Sequence, residues 1–90
     1  MDREEKEEIV KKCAELLEKM MKDTTVPRNV RKSASAVKNK LLNRDESLAM
    51  RAAAAVSDLE VLTNNPHIPS HIRTLVWGLV GQLETVSVEE

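Results

Sequence analysis

Few side chains in this sequence could do metal or covalent chemistry, and they are widely separated. His67 and His71 are four residues apart, a spacing at which two side chains on one helix share a face and can hold a metal ion. Ile68 and Pro69 lie between them and mark a helix start, and no Asp, Glu or Cys is close enough in sequence to complete a zinc site. We interpret both histidines as exposed turn residues and predict no metal site.

Cys13 is the only cysteine, which excludes an internal disulfide and fits a reducing cytosol. It lies on an apolar stripe between Ile9 and Leu16, where a thiol behaves as a small hydrophobe. A catalytic cysteine needs a base beside it, and the sequence nominates none. The acids at the start of the chain would need a pocket that shifts their pKa values before they could act as a catalytic pair. We therefore predict no catalytic residue, no cofactor and no small-molecule substrate.

Cations are concentrated in one part of the chain, although the net charge is only −1. Between Thr24 and Arg44 there are six Lys or Arg residues, and all 15 acids lie outside this window. The six are Arg28, Arg31, Lys32, Lys38, Lys40 and Arg44. One interpretation is phosphate contact with RNA, although the window has no aromatic residue on which bases could stack. The other is a solvated face that pairs with the acidic first helix.

Trp77 is the only aromatic residue. On a helical wheel it lies about 140° from the apolar stripe of the last helix, near Arg73, with Gly78 and Gly81 on the same far half. A large amphipathic aromatic beside glycines that permit close backbone approach is typical of an interface. We predict a homodimer, or a constitutive contact with a partner protein, through this face. The alternative is an internal Trp77 that lies across a neighbouring helix or under Arg73.

Four predicted helices position these residues: 2–22, 26–43, 46–63 and 69–86. Each has apolar residues at intervals of three and four, polar turns separate them, and no strand-like alternation appears. Ninety residues with 41% hydrophobic content support one domain, 1–90, with a single core. The third helix has small uncharged residues behind its core stripe, so we expect it to be the most central.

A short sequence motif is repeated in the two halves of the chain. Val26-Pro27 matches Ile68-Pro69 and Val30-Arg31 matches Ile72-Arg73, an offset of about 42 residues that is typical of helical-repeat units. The pattern predicts an all-α fold of two antiparallel αα-hairpins in a compact bundle with HEAT-like character.

Three stretches together resemble the archaeal proteins collected as uncharacterised protein family 0147. They are Asp23-Thr24-Thr25-Val26-Pro27-Arg28-Asn29-Val30-Arg31, Met50-Arg51-Ala52-Ala53-Ala54-Ala55, and Ile68-Pro69-Ser70-His71-Ile72-Arg73-Thr74-Leu75-Val76-Trp77. The similarity runs from about Glu8 to Glu84. It implies a compact all-helical protein and carries no activity, substrate or catalytic residue.

The longest strongly apolar stretch, between Arg73 and Gln82, is shorter than the roughly 20 residues of a membrane span. The acidic start lacks the order of a signal peptide, so we expect a cytoplasmic protein without a membrane contact. We interpret the chain as a non-catalytic protein-interaction or self-associating module. The alternative is an RNA- or ribonucleoprotein-associated module that uses the basic second helix.

Overall fold

The computed structural model describes residues 1–88 and confirms an all-α protein. Its four helices are α1 (Arg3–Lys22), α2 (Arg28–Leu41), α3 (Leu48–Thr63) and α4 (Ser70–Ser87). No strand occurs among these 88 residues. Each helix buries the face that carries its apolar stripe, because only that face can be removed from water as a continuous surface.

The three turns between the helices share one local structure. Each begins with an Asp or Asn whose side-chain oxygen accepts the backbone N–H two residues later, so the chain reverses before the next helix begins. The pairs are Asp23 with Thr25 at 2.9 Å, Asn43 with Asp45 at 3.1 Å, and Asn65 with His67 at 2.9 Å. The repeat in the sequence is therefore a repeat of turn and helix start.

Two helices begin later than predicted because a proline occupies the residue before each. The predicted 26–43 begins at Arg28 and the predicted 69–86 begins at Ser70. Pro27 and Pro69 have extended ψ values of 147° and 145°, which lie outside the helical range. Val26 and Ile68 instead lie in the turns, where both are buried.

The other differences also follow from local hydrogen bonds. The predicted 46–63 begins at Leu48, because Ser47 is the N-cap and its hydroxyl accepts the N–H of Met50 at 3.2 Å. Helix α2 was predicted to end at residue 43 but ends at Leu41, because Asn43 already belongs to the next turn. At the chain start, the predicted 2–22 begins at Arg3 because Asp2 is its N-cap.

The helices form a closed ring. α1 packs against α2 and α4, and α3 packs against the same two helices. At the seam between the first and last helices, Lys6 Nζ donates to the carbonyl of Val88 at 3.0 Å, so the start of α1 lies beside the end of α4. α3 makes more contacts with the other helices than any of them does, as the expectation that it is the most central helix predicted. All four helices share one core, and α3 still leaves Met50 and Val61 exposed.

Arginines one turn into α3 and α4 connect these helices to the end of the preceding helix or the turn after it. Arg51 donates to the carbonyl of Leu41 at 3.0 Å, and Arg73 donates to the carbonyl of Asn65 at 2.9 Å. Both acceptors lie where the preceding helix ends, where carbonyls lack partners within the helix. Arg31 holds the equivalent sequence position in α2 and is half-buried. This use of long polar side chains was not foreseen from the sequence.

Candidate interaction surface

Trp77 lies on the solvent side of α4, and 61% of its surface is exposed. It is thus not internal within this chain, because no neighbouring helix covers it. Exposing most of a tryptophan leaves a large apolar area in water, which costs free energy unless another surface covers it. This favours the interpretation of Trp77 as an interface residue over the alternative of an internal one.

Gly78 and Gly81 are exposed on the same helix and have no packing role within the chain. Neither has a positive φ, and a Cβ added at either position would have no atom within 4 Å. Glycine inside a helix costs about 1 kcal/mol relative to alanine, and nothing within the fold offsets that cost here. The space above both residues is open to a neighbouring backbone.

The outer surfaces of α3 and α4 are almost free of charge. Within Leu48–Thr63 and Ser70–Ser87 only Glu60 and Glu84 are exposed charged residues. Met50 and Val61 are exposed on α3, and they add apolar area to that of Trp77 on α4. Charged side chains instead cover α1, whose exposed residues are mostly Lys, Arg and Glu. We call the outer surface of these two helices the α3–α4 face.

A groove of about 260 Å³ lies between the two helices on this face. Its lining consists of Glu60, Thr63, Asn64, Trp77, Val80 and Glu84. Both exposed carboxylates of the α3–α4 face therefore lie beside the indole, and the lining includes no cation. We call this hollow the Trp77 groove. The helical wheel also places Glu84 near Trp77, but sequence analysis missed Glu60, because it is on a different helix and far from Trp77 in the chain.

Arg73, which was predicted to lie beside Trp77 on the outward face of α4, makes a hydrogen bond within the chain. It is half-buried and its guanidinium donates to Asn65 in the turn between α3 and α4. The helical wheel gives the direction of the Cα–Cβ bond, but a long side chain can bend back toward a carbonyl just after the end of the preceding helix. Arg73 is therefore a structural residue in this fold.

The six cations of the basic window do not form one patch. Lys38 Nζ lies 2.6 Å from Glu18 Oε2 on α1, and Lys40 Nζ lies 2.5 Å from Asp58 Oδ2 on α3. These two pairs lie on opposite flanks of α2. The hydrogen bonds from Lys38 and Lys22 lower the pKa of the Glu18 carboxyl, so it stays charged beside them. The pair of Lys38 with Glu18 is the contact with the first helix that the second interpretation expected, whereas Lys40 pairs with an acid of α3.

Three cations of the window remain exposed without an ion pair among residues 1–88. They are Arg28, Lys32 and Arg44. Arg44 lines a larger groove of about 480 Å³ between α1 and the turn that joins α2 to α3, where several glutamates of α1 also lie. An anionic polymer would meet those carboxylates there, which opposes its binding.

The residues with reactive side chains are not brought together. His67 and His71 are exposed, and no group of three potential metal ligands occurs within the described part of the chain. Asp23 has a lowered pKa, mainly because Thr25 donates two hydrogen bonds to it, with a smaller contribution from the charge of His71. Burial raises the pKa of Cys13 to about 11, so this thiol is protonated at neutral pH.

Comparison with known proteins gives the family. The profile described as "Uncharacterised protein family (UPF0147)" matches residues 1–86. The chain belongs to this family. A UPF0147 protein of Methanosarcina mazei is 41% identical over 90 residues, which cover all of this chain and 97% of the relative. A UPF0147 protein of Archaeoglobus fulgidus is 48% identical over 75 residues, covering 83% of this chain and 85% of the relative.

Two crystal structures are similar to this UPF0147 protein. One is of MMP1188, described as a protein of unknown function, with a TM-score of 0.84, 39% identity and 91% of each chain covered. The other is of a UPF0147 protein from Thermoplasma acidophilum, with a TM-score of 0.84 and 38% identity over 89% of this chain and 94% of that one. These likenesses support the four-helix fold and bring no activity with them. No helix of residues 1–88 has the length and apolarity required to cross a membrane.

Proposed function

We propose that this protein is a non-catalytic self-association module, and that a second copy of the chain binds to the outer side of α4 with Trp77 as the anchor. The observation that carries the proposal is the 61% exposure of Trp77 on a face with only two exposed charges. Exposed apolar surface of this kind marks protein interfaces. Tryptophan is also among the residues that contribute most to binding when an interface covers them.

A second copy suits this face because the face is nearly uncharged. Two like surfaces repel each other when they carry net charge, whereas the outer side of α4 is formed mainly by Ser, Thr, Gly and Trp residues. Gly78 and Gly81 leave room for a second helix to approach closely. A two-fold arrangement then buries the same patch on both copies and closes the assembly at two chains.

The placement of Cys13 supports a role without covalent chemistry. The residue is 2% exposed in the core, and its raised pKa keeps it a thiol rather than a thiolate. A single buried cysteine is also compatible with the reducing conditions of a cytoplasm, where we place the protein.

The alternative of an RNA-associated module depends on Arg28, Lys32 and Arg44, which remain free of ion pairs within residues 1–88. Three scattered cations can neutralise fewer phosphates than the six of the sequence pattern, and affinity for a polyanion falls with the number of phosphates neutralised. We therefore rank this function second.

Fluorescence of the unmodified protein tests self-association directly, because Trp77 is the only tryptophan and the chain has no tyrosine. We expect the emission maximum to move to shorter wavelength as concentration rises, since association removes the indole from water. The variant Leu42→Ala is a matched control, because Leu42 is 49% exposed at a turn away from α4. It should show the same concentration dependence. An emission maximum that stays constant at the position of an exposed indole would contradict the proposal.

A further inference from the structure

We infer that each copy of the dimer supplies lysines of its α1 to the Trp77 groove of the other, with the two α4 helices packed side by side in parallel. This arrangement rests on the proposed self-association and adds its orientation and its charge pairing. It is derived from three features: the unpaired carboxylates in the groove, the unpaired lysines on α1, and the order of helices in the ring.

The Trp77 groove has the chemistry of a site for a cationic side chain. Glu60 and Glu84 make no ion pair within residues 1–88, in contrast to Asp58, which Lys40 neutralises. The electron-rich face of an indole also attracts ammonium and guanidinium groups. No cation of the same chain lines the groove, so a cation that binds there would come from outside the chain.

Lys12 and Lys19 are the cations that α1 offers for this purpose. Both are exposed, and neither makes an ion pair in the part of the chain that the structure describes. They are seven residues apart and so share one side of the helix. The flank of α1 toward α2 is marked by Glu18, which pairs with Lys38. Lys12 and Lys19 lie about 100–120° around the helix from Glu18, on the solvent side of α1 and on the half of it that is nearer α4.

The two lysines also lie at the right level along the bundle. The contact of Lys6 with Val88 sets the register between α1 and α4, which run in opposite directions. Both helices advance by the same distance per residue, so counting from that contact places Lys12 roughly level with residue 82 of α4 and Lys19 roughly level with residue 75. This stretch of α4 contains Trp77 and adjoins Glu84, and both residues line the Trp77 groove.

The order of helices in the ring decides how a second copy can use these lysines. α4 lies between α3 and α1, so it forms one edge of the bundle. When two such edges meet in parallel about a two-fold axis, α3 of each copy faces α1 of the other. When they meet in antiparallel, α3 faces α3, and the carboxylates of two Trp77 grooves approach without a cation. Charge complementarity therefore favours the parallel arrangement.

Glu8 and Glu15 lie about one helical turn from Lys12, and Glu15 lies one turn from Lys19. Around α1 the two acids are only about 20–60° from the two lysines, on the side toward the groove of about 480 Å³ that they line, so the lysines are the charges nearer α4. Glu5 lies nearer the α4 side, but the same register places it level with the end of α4, beyond the Trp77 groove.

Charge-swap variants test the inference. Glu84→Lys and Lys12→Glu each replace two symmetric attractions by two repulsions, so we expect each variant alone to raise the dimer dissociation constant about tenfold. An equimolar mixture of the two variants restores opposite charges at both contacts. The mixture should therefore associate as tightly as the unmodified protein, as measured by sedimentation equilibrium at low ionic strength. Lys32→Glu, an exposed charge reversal on α2, is the control and should leave the dissociation constant unchanged.

The outcomes distinguish failure of the parallel arrangement from failure of self-association itself. A dimer whose mixed variants fail to recover affinity overturns the parallel arrangement, while self-association stands. Equal weakening by Lys32→Glu also overturns it, because the effect would then reflect net charge rather than a contact. An unmodified protein that stays monomeric overturns both the arrangement and the self-association on which it rests. Circular dichroism of every variant establishes that these surface changes leave the helices folded.

Discussion

Trp77 and Gly81 lie one helical turn apart on α4, and both are exposed: the indole is 61% accessible, and a Cβ on the glycine would meet no atom within 4 Å. A bulky apolar side chain thus stands beside a bare stretch of backbone on one side of a helix. This combination is costly for an isolated chain, because it exposes apolar area and weakens the helix. A second helix that fills the space above Gly81 while covering Trp77 would offset both costs.

The double variant Gly78→Ala/Gly81→Ala separates these two effects. Because both sites are helical and open, two alanines should stabilise the single chain by about 1–2 kcal/mol. The added methyl groups should also hold a second backbone further away and weaken association. Thermal melts at low concentration measure the first effect and sedimentation equilibrium measures the second. Unchanged association in the stabilised variant would place the dimer contact elsewhere.

Leu59→Ala tests the core. Leu59 is fully buried at the centre of the α3 stripe, so the truncation should lower the free energy of unfolding by about 2–5 kcal/mol. Val61→Ala, two residues along the same helix, removes a side chain that is 71% exposed and should change stability by less than about 0.5 kcal/mol. Denaturant titrations of both variants make the comparison. Similar decreases in the two would show that the register of α3 is wrong.

Arg73→Lys tests the role of the arginine at the turn between α3 and α4. Lysine keeps the charge but cannot reproduce the guanidinium geometry, so we expect it not to form the hydrogen bond to the Asn65 carbonyl. Stability should fall by about 1 kcal/mol with no change in the dimer dissociation constant. If the variant instead weakened association at unchanged stability, Arg73 would be an interface residue as the sequence had suggested.

The double variant Arg28→Glu/Lys32→Glu tests the alternative nucleic-acid function. Both cations are exposed on α2, so under the nucleic-acid alternative their reversal would abolish RNA retention and its dependence on salt. Retention of a single-stranded RNA on immobilised protein at low salt provides the measurement. We expect the unmodified protein to show none, because two of the six cations in the window already pair with acids. Strong, salt-sensitive retention that the variant lacks would reverse the ranking of the two functions.

The fold was predictable from the sequence because its signals are local. Apolar residues three and four apart define four stripes, and Pro27 and Pro69 mark where two helices start. The observed helix ends differ from the predicted ones by up to two residues, because each end depends on which oxygen accepts the backbone N–H groups there. The cap of α3, for example, is Ser47.

The arrangement of the surface was less predictable because it depends on contacts between distant parts of the chain. The exposure of Trp77 followed from its angle on the helix. In contrast, Glu60 and Glu84 meet at one groove only because α3 and α4 pack at a particular rotation. The hydrogen bond from Arg73 to the Asn65 carbonyl was also not foreseen, because it depends on the reach of the side chain and on the position of the turn between α3 and α4.

Sedimentation equilibrium of the unmodified protein beside Trp77→Ala is the most direct test of self-association through α4. We expect the unmodified protein to approach the mass of two chains as concentration rises. The variant should dissociate about thirtyfold more readily, which corresponds to about 2 kcal/mol, while its helical circular dichroism stays intact. A strictly monomeric unmodified protein at high concentration would contradict the account, and so would a Trp77→Ala variant that is less stable but unchanged in mass.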